Sequence, residues 1–260
     1  MTRDWVLLRG LTREAGHWGA LPRALEEALP GVRLHLLDLP GAGVHHRLRC
    51  PVSVAALTEH CRAELARRGV ADPVGLLGLS MGGMVAADWA QRHPAEVAAL
   101  VMVNSSTRSL SPLHRRLRPA AWRAVPALLW HWGRAPAEAR VLALSSRRHA
   151  DDPAVRAEWV ALQQARPVGR ANALRQLLAA ARHRVGPAPA CPTWVVCSAR
   201  DALVHPDCSR ALARHWGAAL AEHPDAGHDL ALDDPAWLAR GLARWCAGLS
   251  GLDPATDPSA

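Results

Sequence analysis

The 260-residue sequence has no lysine, isoleucine, phenylalanine or tyrosine, and only two asparagines, Asn104 and Asn172. These residues have AT-rich codons, and Arg, Ala, Gly, Pro and Trp stand in their place, so the bias reflects a GC-rich coding sequence before it reflects function. All 31 basic residues are therefore arginine, and part of the isoelectric point near 10.6 comes from the guanidinium pKa rather than from a nucleic-acid surface. Long apolar runs are also missing. The longest uncharged stretches, 73–87 and 185–199, are broken by Gly, Pro and Ser and do not reach the length of a bilayer span, so no membrane partner is expected. The N-terminus lacks the basic, apolar and small-residue succession of a signal peptide, which predicts a cytoplasmic chain. Six cysteines (Cys50, Cys61, Cys191, Cys197, Cys208, Cys246) include no CxxC pair and no zinc spacing, so free thiols and no metal are expected. His45 and His46 are sequence neighbours that do not converge on an ion, and they read as solvent-facing. Neither a P-loop nor a dinucleotide fingerprint is present, and no nucleic-acid-binding motif appears, so no cofactor and no nucleic acid are implied.

What is present suits one α/β domain with an inserted subdomain: half the residues are hydrophobic and 21% are charged. Short apolar runs alternate with longer amphipathic ones, the pattern of a parallel sheet with crossover helices. Strands are predicted at Trp5–Leu8, Val32–Leu37, Val74–Leu79, Val97–Val103, Thr193–Cys197 and Ala218–His223. The second and last carry polar residues and are expected nearer the sheet edges. Helices are predicted at Ala20–Leu29, Val54–Arg68, Gly83–Arg92, Pro206–His215 and Trp237–Leu249.

The alternation breaks after Val103 and resumes at Thr193. Helical, Trp- and Arg-rich stretches fill the gap (Ala120–Trp132, Pro136–Leu144, Pro153–Ala165 and Asn172–Arg182), since a structureless loop of that length is improbable. The expected organisation is a core of residues 1–107 and 186–250, a helical cap inserted at 108–185, and a disordered tail at 251–260. Charge follows the same division. Residues 108–184 hold 15 Arg against four acids, a net +11, while the remainder is net −3.

The third strand runs directly into Gly78-Leu79-Ser80-Met81-Gly82-Gly83, and a helical pattern follows. A serine on a tight strand-to-helix turn needs small residues two before and two after it, and the turn presents its Oγ above the sheet. Ser80 is the candidate nucleophile. An alcohol needs a base, and Pro224-Asp225-Ala226-Gly227-His228 follows the last strand, which favours His228 over His223, His205 and His215. Asp201, after the fifth strand, is the acid that would orient it; Asp207 reads as the first turn of a helix, and the alternative position after the fourth strand holds Asn104, which has no charge to give. The backbone N–H groups of Leu11 and Met81 are the candidate oxyanion donors.

These motifs resemble the α/β-hydrolase superfamily, particularly its small esterases. The resemblance rests on Arg9-Gly10 with Trp18 shortly after, Asp38-Leu39-Pro40-Gly41-Ala42-Gly43, the Ser80 turn, Asp201-Ala202-Leu203-Val204 and Gly227-His228, and it covers nearly the whole chain. It implies a mostly parallel α/β sheet flanked by helices with a helical cap, a Ser80–Asp201–His228 triad and no cofactor. Two departures stand out. The family usually has His-Gly where this chain has Arg9-Gly10, and many relatives have two strands before the one at Trp5, so about six strands are expected. The family includes pimeloyl-acyl-carrier-protein methyl ester carboxylesterases, whose cap receives an acidic carrier. On that precedent Arg115, Arg116 and Arg118 are candidate carrier contacts, and Trp18, Trp122, Trp130 and Trp132 are candidate substrate contacts. The same residues equally serve a carbon–carbon bond hydrolase or an acyl transferase, and a non-catalytic ligand-binding protein is a further use of the scaffold.

Overall fold

A computed structural model describes residues 2–70 and 73–249. The expected tail at 251–260 lies outside the described residues. Six strands, β1 (Asp4–Leu8), β2 (Arg33–Leu37), β3 (Val74–Leu79), β4 (Val97–Val103), β5 (Thr193–Ser198) and β6 (Ala219–His223), form one sheet in the order β2-β1-β3-β4-β5-β6. Every pairing is parallel. The two strands predicted at the edges are indeed there: β2 exposes Arg33, while β1 and β3 are buried along their whole length and, after Asp4, are apolar runs.

The core helices are α1 (Leu21–Ala28), α2 (Val54–Arg67) and α3 (Met81–Arg92). Helix α3 starts two residues earlier than the periodicity predicts, with Ser80 at the position before its first turn and Met81 already helical. After β4 the insertion comprises α4 (Leu113–Arg116), α5 (Pro119–Trp130), α6 (Ala135–Ser145), α7 (Pro153–Ala165) and α8 (Arg170–Arg182), with no strand among its described residues. The first of these is a single turn that a periodicity reading cannot detect. The chain then completes the core with α9 (Asp207–Trp216), the short α10 (Leu230–Asp233) and α11 (Pro235–Leu249).

Both faces of the sheet are covered. Leu57, Cys61, Val85, Trp89 and Leu212 pack one face through α2, α3 and α9; Leu21, Leu25, Leu238 and Leu242 pack the other through α1 and α11. No helix among the described residues is long and apolar enough to cross a membrane. The insertion leaves and rejoins the core at one place, since Arg108 N–H donates to His183 O at 2.9 Å.

Because β1 lies between β2 and β3, the chain runs outward from β1 to one edge and then returns to β1's other side. Loops leaving β1 and β3 therefore flank a crevice at the strands' carboxyl ends, where ligands bind in open α/β sheets. Gly82 sets how closely these loops meet. A Cβ there would stand 2.0 Å from Leu8 O, and one at Gly78 would stand 2.4 Å from Gly82 C. Gly82→Ala should therefore push α3 off β1 and destabilise the chain by about 3 kcal/mol. Urea unfolding checks this; a midpoint equal to wild type would contradict it.

Candidate active site

Ser80 sits between β3 and α3 at φ 56°, ψ −114°, a conformation that costs about 1–3 kcal/mol for a residue with a Cβ. Its backbone is held from both sides: Ser80 N–H donates to Val103 O at 2.8 Å, and Ser105 Oγ–H donates to Ser80 O at 2.6 Å. Gly10 lies directly against it, since a Cβ there would come within 3.3 Å of Ser80 Cβ.

His228 follows β6 and is buried. Its Nδ1 lies 2.7 Å from Asp201 Oδ2, which leaves Nε2 as the nitrogen that can serve Ser80. Asp201 is 1% exposed, and its other oxygen accepts the N–H groups of Leu203 and Val204 at 2.7 and 2.8 Å, so the carboxylate is fixed by its own loop. Burial acts to lower the His228 pKa, but the charge and hydrogen bond of Asp201, with Asp229 behind them, outweigh it and hold the imidazole above its ordinary value. No hydrogen bond joins Ser80 Oγ to His228 here, and such contacts often tighten only around a substrate.

The rival residues are placed elsewhere. Asp207 begins α9 and is held by Arg210 at 2.8 Å and Arg115 at 3.3 Å. His223 accepts the N–H groups of Asp225 and Ala226 through Nδ1 and forms part of the bend that delivers His228.

Arg9, where relatives of the resembled family carry His, is buried and makes a bidentate pair with Asp229: Nη1 to Oδ1 at 3.1 Å and Nη2 to Oδ2 at 2.5 Å. Its guanidinium lies over the Trp18 ring at 4.7 Å. The pair ties the loop after β1 to the residue next to His228. Thr12 N–H donates to Gln176 Oε1 of α8 at 2.8 Å, which fixes the same loop from the insertion side. Leu11 and Met81 both line the cavity beside Ser80, and Met81 N–H is among those that a helix start leaves without an intrahelical acceptor.

The cavity encloses about 380 Å³ between the strand ends and the insertion, and its wall is mostly apolar. The structure places the aromatic and basic contact candidates in quite different surroundings. Trp18 is fully buried under Arg9 and does not reach the cavity. Trp122 and Trp130 point outward from α5, at 45% and 78% exposure, and neither lines it. Trp132 does line it, with Nε1–H donating to Val168 O at 2.8 Å. Trp159 of α7 is a wall residue that the sequence reading missed, although its place in a predicted amphipathic helix was the available signal. The arginine cluster does not form one docking face. Arg115 is half-exposed and paired with Asp207, and Arg118 donates to Asp201 O at 2.6 Å. Arg116 is buried in the cavity wall, so it is not a surface contact.

Two further residues position the site. Asn104, in a left-handed conformation at φ 48°, donates from Nδ2 to His228 O at 2.8 Å and accepts Ser198 N–H at 2.8 Å. The buried Asp233 accepts Gly227 N–H at 2.7 Å, together with Ser146 Oγ–H and the N–H groups of Arg147 and Arg148. It thereby fastens the end of α6 to the loop that carries His228. No cluster of three or more metal-ligating side chains occurs among the described residues.

With the Asp201 charge removed, burial should dominate at His228. Asp201→Asn should thus move the imidazole titration to lower pH, which NMR of the ring nitrogens checks; an unchanged midpoint would contradict the electrostatic account.

Residues 6–235 match a sequence profile described as the alpha/beta hydrolase fold. A pimeloyl-[acyl-carrier protein] methyl ester esterase of Chromobacterium violaceum is 28% identical over 244 residues, covering 92% of each chain. RutD of Klebsiella pneumoniae, named for carbamate hydrolysis, is 33% identical over 241 residues, 86% of this chain and 83% of its own. Among solved structures, an esterase from Thermogutta terrifontis superposes with a TM-score of 0.74 at 22% identity, over 95% of this chain and 90% of its own. The enol-lactonase from Burkholderia xenovorans superposes at 0.76 with 18% identity, over 94% and 91% of the two chains.

Proposed function

The chain belongs to the α/β-hydrolase family, and on that premise we propose that it is a serine-dependent hydrolase of carboxylic esters. The observation that carries this reading is the conjunction of Ser80, held in a strained turn, with an Asp201-bound His228 on the wall of one cavity. Ser80 Oγ attacks the ester carbonyl while His228 Nε2 takes its proton. The N–H groups of Leu11 and Met81 receive the oxyanion, and His228 then protonates the departing alcohol. Water, activated by the same imidazole, attacks the acyl-enzyme and releases the acid and free Ser80. Asp201 holds the tautomer that keeps Nε2 unprotonated, and its raising effect on the His228 pKa makes the imidazole a stronger base. Residues 108–185 act as the cap over this chemistry, in keeping with a cavity wall drawn from both the core loops and the insertion. The free thiols of all six cysteines suit a reducing, cytoplasmic compartment.

Ser80→Ala should keep the fold and lower ester hydrolysis by about 10⁶, and should abolish labelling by a fluorophosphonate. Near-normal turnover by the purified variant would overturn the assignment. Labelled wild-type protein that hydrolyses no ester would point instead to acyl transfer or carbon–carbon cleavage on the same residues.

A carrier-linked ester is the second reading, favoured by the net +11 of residues 108–184 and by the acyl-carrier ester named for relatives. Exposed arginines of α5, α6 and the turn between them, such as Arg123, Arg134 and Arg140, are the surface this reading uses. An acidic carrier steered to them should show a KM that rises with salt, whereas a small neutral ester should be almost indifferent. Steady-state kinetics on both substrates across a salt series checks this, and parallel behaviour would remove the carrier.

A further inference from the structure

The charges on the cavity wall do not balance. Four arginines line it, Arg9, Arg13, Arg116 and Arg170, against two acids, Asp229 and Glu138. Both acids are already taken: Asp229 by Arg9, and Glu138 by Arg13 at 2.7 Å. Arg170 is exposed at the rim, where water solvates it. Arg116 is different. It is 91% buried, and among the described residues it has no acidic partner.

Among the described residues its hydrogen bonds are to two carbonyls at the end of α8, Nη1–H to Ala181 O at 3.0 Å and Nη2–H to Ala180 O at 2.5 Å, and its buried Nε–H finds no acceptor there. Those carbonyls orient the guanidinium and contribute the partial negative charge of a helix C-terminus, but they do not neutralise it. A guanidinium stays protonated in proteins. A buried, unpaired cation with a donor to spare, in a mostly apolar wall whose two acids are already paired, is unfavourable until an anion arrives.

We propose that Arg116 anchors a carboxylate carried by the substrate, so that the preferred ester has its scissile group at Ser80 and a free carboxylate at the far end of an apolar chain, as in a half-ester of a dicarboxylic acid. The inference rests on the reading of Ser80 as nucleophile and adds to it the substrate class and the residue that selects it. The planar fork of an arginine matches a carboxylate, and the mostly apolar lining of the cavity that holds both Ser80 and Arg116 suits a methylene chain. Hydrolysis of such a half-ester consumes one water and releases the alcohol, the dicarboxylate dianion and one proton.

The test compares p-nitrophenyl hydrogen suberate with its neutral methyl-capped counterpart. Wild-type kcat/KM should favour the anionic ester by about tenfold or more, mainly through KM. In Arg116→Gln, which keeps a donor for the α8 carbonyls, that preference should fall to near unity, and Arg116→Lys should restore part of it. A purely structural role would change both substrates in step and leave the ratio as it was, which overturns the proposal. So would a wild-type enzyme that prefers the neutral ester or shows no preference, and this holds even if the Arg116 variants do not fold. Calorimetry on Ser80→Ala separates the two readings: suberic acid monoamide should bind about tenfold or more tightly than suberamide even if no ester is ever turned over. Octyl phosphate binding more tightly than nonanoate to the same protein would reassign the anchor to phosphate and overturn the carboxylate.

Discussion

The close approach of α3 to the end of β1, through the bare backbone of Gly82, governs the geometry of the whole site. Any side chain there would collide with Leu8 O, so α3 lies directly on the strand end and Ser80 must turn through a positive φ to enter it. The same approach brings Gly10 under Ser80, and Leu11 and Met81 line the cavity beside it. Strain at Ser80 is held in place because its N–H and C=O are both engaged, by Val103 and Ser105 at the end of β4. Three adjacent strand ends thus determine the position of one hydroxyl.

The imidazole is positioned by polar links that cross between elements far apart in sequence. Asp201 holds Nδ1, Asn104 holds the His228 carbonyl, and Asp233 holds Gly227. Arg9 completes the set by pairing with Asp229, which explains how the chain tolerates arginine where the resembled family has histidine. The side chain turns away from the reacting centre toward an acid and lies over Trp18, leaving the following Gly10 backbone as close to Ser80 as the turn requires. Because this pair is buried, removing only one partner should be far more damaging than its modest net contribution to stability suggests.

Much of this architecture was legible in the sequence. The six strands, their edges and the order of Ser80, Asp201 and His228 followed from continuous apolar runs and turn residues, because a strand buried on both faces has no choice but to be apolar. The helical insertion was legible as a break in alternation. Its inward-facing residues were not, because a tryptophan in the sequence is equally a sign of core and of pocket wall. Trp18 and Trp159 are each in contact with an arginine, yet one is core and the other is wall, and that difference is decided by tertiary packing. The arginines failed as a guide for a related reason. Codon bias made every arginine or lysine position an arginine, so Arg115, Arg116 and Arg118, neighbours in sequence, have an exposed ion pair, buried bonds to the carbonyls that end α8 and a link to the Asp201 loop as their separate fates.

The insertion is bound to the core at several points around the cavity, which bears on how a substrate enters. Gln176 and Asn172 of α8 hold the loops after β1 and β2: Gln176 accepts Thr12 N–H, and Asn172 accepts Cys50 N–H at 3.0 Å. Arg166 pairs with Glu14, Arg13 with Glu138, and Asp233 closes the far side onto α6. A rigid-body opening of the whole insertion would break all of these together, including buried charge pairs that lose several kcal/mol when separated. Helix α5 has fewer such ties: its Trp122, Val125 and Trp130 are exposed and Pro126 interrupts its hydrogen bonding. Displacement is therefore cheapest at α5, with α8 and the Asp233 clasp staying closed and keeping the His228 loop, and the Arg116 guanidinium held by α8, in place relative to Ser80.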